Sequence, residues 1–137
     1  MNVLVDSSGW VDFLNGFASP AAAGVESLLR GDTGDQIVTC GVVVAEVLQG
    51  LRRPGEFPRV QSLFEELELR EARGLSSYVR AADLFRKLRE KGVTVRSTSD
   101  CLIAVLAEES GGLLLARDRD LERIVASGLV DVRLWPG

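Results

Sequence analysis

A chain of 137 residues, 46% of them hydrophobic, can bury one core without disulfides or a structural metal. It contains no histidine, which excludes Ser-His-Asp and Cys-His catalysis, imidazole-ligated zinc and histidine general bases, and leaves Asp, Glu, Ser, Lys, Arg and two cysteines for chemistry. A net charge of −4 lacks the basic excess of a duplex-DNA reader, so an anionic substrate has to be met locally or through cations that bridge carboxylate to phosphate.

In chain order, residues 3–6 are predicted to form a short buried strand. Residues 8–16 follow as a helix with Trp10, Phe13 and Leu14 on one face. Ser19 and Pro20 supply a capping hydroxyl and a first-turn proline for a helix through Val25, Leu28 and Leu29 that stops at Gly31. A second strand is expected over 36–39 and a helix over 41–52, broken by Arg53-Pro54-Gly55. Its β-branched start leaves the boundary open. Residues 58–67 read as a helix, 68–71 as a short strand, 76–91 as a helix ended by Gly92, and 97–110 as a helix ended by Gly111-Gly112. A strand over 113–116, a short helix over 121–127 and a last strand over 130–134 complete the chain.

This alternation predicts an α/β fold with a mostly parallel central sheet flanked by helices, as a single domain over 1–137. No repeat, linker or low-complexity tract interrupts it. Cys40 and Cys101 are far apart, lie beside apolar runs and form no CxxC pattern, so two buried free thiols are expected. The start of the chain shows no basic leader and no membrane-length apolar run, and a cytoplasmic location without membrane contact is expected.

Open parallel sheets bind ligands beyond the carboxyl ends of their strands. Asp6 ends the first predicted strand and Asp118 closely follows the 113–116 strand. Asp100 falls in the first turn of its helix, and Glu46 interrupts the apolar run Val42-Val43-Val44-Ala45 and Val47-Leu48. Each has a plain alternative. Asp6 or Asp120 could cap a helix, Asp100 could answer the helix dipole in a Ser97-x-x-Asp100 pattern, and Glu46 could lie on a narrow solvent stripe with Gln49 and Arg53. Together, carboxylates crowded at one point repel and raise one another's pKa unless a divalent cation joins them, and an oxygen-only donor set suits Mg²⁺ or Mn²⁺.

At these residues the chain resembles the PIN-domain family, and within it the VapC-type toxins. The matching pieces are Val3-Leu4-Val5-Asp6-Ser7-Ser8-Gly9-Trp10-Val11-Asp12-Phe13-Leu14, Ala45-Glu46-Val47-Leu48-Gln49-Gly50, Ser99-Asp100-Cys101-Leu102-Ile103-Ala104, and Leu113-Leu114-Leu115-Ala116-Arg117-Asp118-Arg119-Asp120-Leu121. Each piece is weak alone, but their order and spacing, from Asn2 to about Trp135, make the set specific. The resemblance implies a metal-dependent endoribonuclease, the toxin of a type II toxin–antitoxin system. Its acidic quartet falls on Asp6, Glu46, Asp100 and Asp118, with Asp120 a second candidate for the fourth place. Ser7 matches a hydroxyl position beside the first acid and is expected to hydrogen-bond within the site, while Gly9 and Cys101 fall at variable positions. An antitoxin protein, an RNA substrate and a homodimer are the implied partners.

Arg80, Arg86, Lys87, Arg89, Lys91 and Arg96 form a basic run, and Arg52, Arg53 and Arg59 form a second group. Arg117 and Arg119 flank the acids. Such runs are ordinarily solvated helix faces, and the functional alternative is contact with RNA phosphates. Competing readings are a non-catalytic PIN-like module that only binds a partner, a receiver-like signalling domain using Asp and Mg²⁺, and a phosphatase with an Asp nucleophile. A receiver needs adjacent acids after the first strand and a lysine near the last, whereas Asp6 is followed by serines and the only lysines are Lys87 and Lys91. The phosphatase needs a second Asp two residues after the first, where Ser8 stands.

Overall fold

The computed structural model describes residues 1–136; Gly137, the last residue of the expected domain, lies outside the described residues. The elements are β1 (Asn2–Val5), α1 (Ser7–Leu14), α2 (Pro20–Arg30), β2 (Gln36–Thr39), α3 (Gly41–Gln49), α4 (Glu56–Glu65), β3 (Glu68–Leu69), α5 (Leu75–Glu90), α6 (Thr98–Glu109), β4 (Leu113–Leu115), α7 (Arg119–Ala126) and β5 (Arg133–Leu134).

All four strand pairings are parallel, in the order β3-β2-β1-β4-β5. The first three strands build outward on one side of β1, and the chain then crosses back to lay β4 and β5 on the other. The building direction therefore reverses between β1 and β4, and a crevice at their carboxyl ends is where an open α/β sheet binds its ligand. Leu4 is held on both sides, opposite Val38 and Leu114, and Val5 lies opposite Leu115. Val3, Leu4, Val5, Val38, Leu114 and Leu115 are almost wholly buried, the continuous apolar run of strands covered on both faces.

Helices cover the sheet through matched apolar faces. On α1, Trp10 is fully buried, with its ring edge-on to Phe64 at 5.0 Å and to Phe13 at 6.4 Å between centroids. On α6, Cys101, Ile103, Ala104, Val105 and Ala107 are fully buried, so this helix runs through the interior. Two glycines permit close docking. A Cβ on Gly9 would stand 2.7 Å from Leu115 Cδ2, and one on Gly24 would stand 2.8 Å from Leu115 Cδ1. Gly9, which the sequence offers as an unremarkable variable position, is thus a packing requirement of α1 against β4.

The predicted elements are all present, with moved ends. The helix expected over 41–52 stops at Gln49, with Gly50 closing it. The helix expected from 121 starts at Arg119, because Asp118 is its cap: Oδ1 of Asp118 accepts from the Leu121 N–H at 3.0 Å. The last strand is only Arg133–Leu134, paired to Leu113–Leu114. Cys40 and Cys101 are free and buried, and burial pushes the Cys101 thiol up to about 11. Among the described residues no helix is long and apolar enough to cross a membrane.

Candidate metal centre

Asp6 immediately follows β1, and its backbone N–H donates to the Leu115 carbonyl at 2.8 Å, extending the sheet by one rung. Its side chain caps α1. Oδ2 accepts from the Ser8 N–H at 3.1 Å and from the Ser8 hydroxyl at 2.6 Å. The carboxylate is only 4% exposed, and burial raises its pKa; the Ser8 bonds partly offset this, and the Asp118 charge adds to it. Ser8 also accepts from the Arg117 N–H at 2.9 Å, so one hydroxyl joins Asp6 to the segment that carries Asp118.

Glu46 sits in the second turn of α3, half-buried. Its Oε1 is buried with no hydrogen-bond partner. Burial raises its pKa first and the Asp6 charge next; the Ser7 hydroxyl lowers it, and Asp118 raises it further. Asp100 lies in the first turn of α6, which Ser97 caps by accepting from the Ser99 N–H at 3.0 Å. Its carboxyl is pushed up to about 6, by burial and then by the charges of Asp118, Asp6, Asp120 and Glu46.

Asp100, Asp118 and Asp120 each offer an oxygen within 4.8 Å of the others. The two members of the Asp118–Arg119–Asp120 segment are not equivalent. Asp118 is one of the charges that raise Asp6, Glu46 and Asp100 alike. Asp120, 3% exposed, is claimed by arginine. Its Oδ2 accepts from Arg96 Nε at 2.8 Å and from the Arg96 N–H at 3.1 Å, and its Oδ1 lies 3.8 Å from Arg123 Nη1. The Arg96 bonds hold the Asp120 pKa below the usual carboxylate range. Distance puts Asp120 in the same triad as Asp100 and Asp118, and its carboxylate is also engaged by Arg96 and, more loosely, Arg123.

Carboxylates from four parts of the chain, the end of β1, α3, the start of α6 and the start of α7, therefore act on one another beside the β1/β4 crevice, and three of them, Asp6, Glu46 and Asp100, are harder to ionise than usual. The donors are all oxygen, and Glu46 Oε1 is a buried acceptor without a donor. This set fits a hard divalent cation, which takes carboxylate oxygens and cancels the repulsion.

Several contributors escape the sequence reading. Ser8, rather than Ser7, makes the side-chain bond to Asp6, while the Ser7 hydroxyl acts on Glu46. The segment after β4 is anchored by Arg117. Its Nε reaches Asp12 Oδ2 at 2.6 Å, and its guanidinium lies over the Phe17 ring at 4.7 Å. Asp12, buried, also accepts from the Ser19 hydroxyl at 2.9 Å. The available signal was an acid between Val11 and Phe13 on an otherwise apolar helix. Much of the basic run is occupied: Arg80 with Glu108 and the Leu129 carbonyl, Lys87 with Asp83, Lys91 with the Ser127 carbonyl, and Arg96 with Asp120.

Comparison with known proteins places the chain in a family. The sequence profile described as PIN domain matches residues 3–126. Ribonuclease VapC11 of Mycobacterium tuberculosis is 32% identical over 122 residues, covering 89% of this chain and 90% of that protein. A VapC ribonuclease of Mycobacterium bovis matches to the same extent. Among solved structures, VapBC2 from Rickettsia felis, bound to a DNA fragment from its promoter, superposes with a TM-score of 0.70 at 19% identity, covering 98% of this chain and 99% of that one. VapC20 of Mycobacterium tuberculosis, a toxin that cleaves the sarcin–ricin loop, superposes with a TM-score of 0.64 at 20% identity, covering 96% of this chain and 98% of that one. At these identities the superpositions speak to the fold.

Proposed function

Because the chain belongs to the PIN-domain family, and within it to the VapC-type ribonucleases, we propose that it hydrolyses RNA phosphodiesters at the carboxylate cluster, as the toxin of a toxin–antitoxin pair. What supports this reading is that the charges of Asp118, Asp6 and Glu46 all act on the Asp100 carboxyl, beside an Asp100–Asp118–Asp120 triad, while Glu46 Oε1 is buried without a hydrogen-bond partner among the described residues.

Asp6, Asp100 and Asp118 would hold Mg²⁺ or Mn²⁺, and Glu46 would complete the set. A bound cation of this kind lowers the pKa of a ligated water and neutralises charge on the phosphate oxygens. The protein's own groups prepare the site. Ser8 fixes Oδ2 of Asp6 with its N–H and its hydroxyl. The α7 cap fixes Asp118 through Oδ1, and its Oδ2 lies 3.6 Å from Arg96 Nη2. Asp120 orients Arg96 and remains the second candidate for a place among the metal ligands, beside Asp100 and Asp118.

One nuclease domain spans the chain in this reading. Its protein partners, on the same reading, are a cognate antitoxin, in line with the VapBC complexes among its structural relatives, and a second copy of itself. Asp6→Asn and Asp118→Asn variants are expected to keep the circular-dichroism spectrum of the wild type and lose RNA cleavage. Full cleavage by either variant would remove the carboxylates from the chemistry.

A further inference from the structure

Beside the acids lies a cleft of about 430 Å³ lined by Thr94, Arg96, Arg119, Asp120 and Arg123. Three guanidinium groups meet there, and one buried carboxylate, Asp120, is the counter-charge among the lining residues. We propose that this cleft seats a backbone phosphate of the RNA one step along the strand from the phosphate being cut. The proposal rests on the nuclease reading above and names the subsite that holds the strand in register with the acids.

Position and charge carry the argument. Arg96 forms the wall shared by the two sites. Its Nε and N–H are committed to Asp120, while its Nη2 stands 3.6 Å from Asp118 Oδ2. Asp120 therefore aims Arg96 without neutralising the whole cleft. The Arg96 side chain is 77% exposed, although one edge of it is bonded, so its remaining donors are open to a ligand. Arg123 is half exposed and only 3.8 Å from Asp120, a contact loose enough to be shared. Arg119 is exposed, and no ion pair engages it among the described residues. Thr94 adds a hydroxyl. Planar guanidinium groups with unused donors match phosphate oxygens in geometry as well as charge. The cleft also accounts for how an acidic protein holds an anionic chain: Arg80 and Lys87 of α5 are spent on Glu108 and Asp83, whereas Arg119, without an ion pair among the described residues, is left here next to the reacting phosphate.

The test is the salt dependence of RNA binding. A short fluorescein-labelled single-stranded RNA is titrated by anisotropy at several salt concentrations with the Asp100→Asn protein, which prevents cleavage, and with the same protein carrying Arg119→Gln and Arg123→Gln. Arg96 is left intact because it holds Asp120. Loss of one phosphate contact on a single strand makes the slope of log K against log [salt] shallower by about 0.7, with weaker binding at low salt. Unchanged affinity and slope, in a protein whose wild-type form cuts RNA, would overturn the cleft proposal and leave the nuclease reading intact. The cleft would also be reassigned, away from RNA, if the Arg variants kept RNA binding and lost affinity for an acidic peptide. A wild-type protein that neither binds nor cuts RNA would overturn both.

Discussion

At Glu46 one carboxylate oxygen has no hydrogen-bond donor, and the charges that act on it most, Asp6 and Asp118, share its sign. Removing the charge while keeping the shape should therefore help the metal-free protein. Glu46→Gln is expected to melt at or above the wild-type temperature in EDTA and to lose most of the stabilisation that Mn²⁺ gives the wild type; a lower melting temperature in EDTA would mean that Glu46 has a structural partner. Ser8 tests the next layer. Its hydroxyl donates to Asp6 and accepts from the Arg117 N–H, so Ser8→Ala breaks both bonds at once. A loss of about 10–100-fold in metal affinity or cleavage is expected, the usual cost of an outer partner of a metal ligand. Ser7→Ala leaves the Asp6 side-chain bond intact and should cost less. The acids were legible in the sequence because each ends a strand, opens a helix or interrupts an apolar run. The choice between Ser7 and Ser8 was legible only in principle: a capping Asp reaches the backbone N–H two residues on, which puts Ser8 and not Ser7 beside its carboxylate.

Order and type of elements follow from periodicity and punctuation, and every predicted strand and helix is found. Their ends were harder to place. The 41–52 helix was over-extended because Leu51 and Arg52 continue a helical pattern that Gly50 in fact closes. The sequence pattern suggests Asp120 as the cap of a helix from 121, whereas Asp118, two residues earlier, caps α7 and sits among the acids as well. Gly9 carried no signal in a single sequence, since only the approach of α1 to Leu115 gives it meaning. Gly9→Val should overpack this contact and destabilise the fold by about 1–3 kcal/mol, measured by denaturant titration. An unchanged midpoint would show that Leu115 can move aside freely. The same helix anchors the β4–α7 segment through Asp12 and Arg117, so strain at Gly9 should reach the acids as well.

Across the whole molecule, charge repulsion at the centre links stability to pH and to metal. The Asp100 carboxyl is raised from 3.8 to about 6 on folding, and Asp6 and Glu46 are raised in the same direction. A group raised in this way holds its proton more tightly in the folded protein. It contributes stability that is full below the unfolded pKa and is lost as pH climbs through the folded value. In EDTA the wild type should therefore lose stability between about pH 4 and pH 6 and beyond. Asp100→Asn should flatten part of this slope, and saturating Mg²⁺ should reverse it at neutral pH. A metal-free stability that rises with pH over this range would mean that the acids are individually paired and not mutually repelling. The basic residues divide in the same way: on α5, Arg80 and Lys87 are tied to Glu108 and Asp83, while the guanidinium groups of Arg96, Arg119 and Arg123 line the cleft beside the acids. Of the partners of the basic run, only Asp83, four residues before Lys87 on the same helix, was readable from spacing; Glu108 comes from α6, Ser127 and Leu129 from just beyond α7, and Asp120 from the first turn of α7.

The most direct measurement is RNA cleavage by the purified, antitoxin-free protein after EDTA treatment, with Mg²⁺ or Mn²⁺ then added back and Asp100→Asn run alongside. Cleavage that is absent in EDTA, restored by metal in the wild type and reduced by more than about 100-fold in Asp100→Asn, beyond the cost of losing an outer partner, is the expected result. Cleavage that persists in EDTA, or that Asp100→Asn performs as well as the wild type, would contradict hydrolysis by a cation held among these carboxylates.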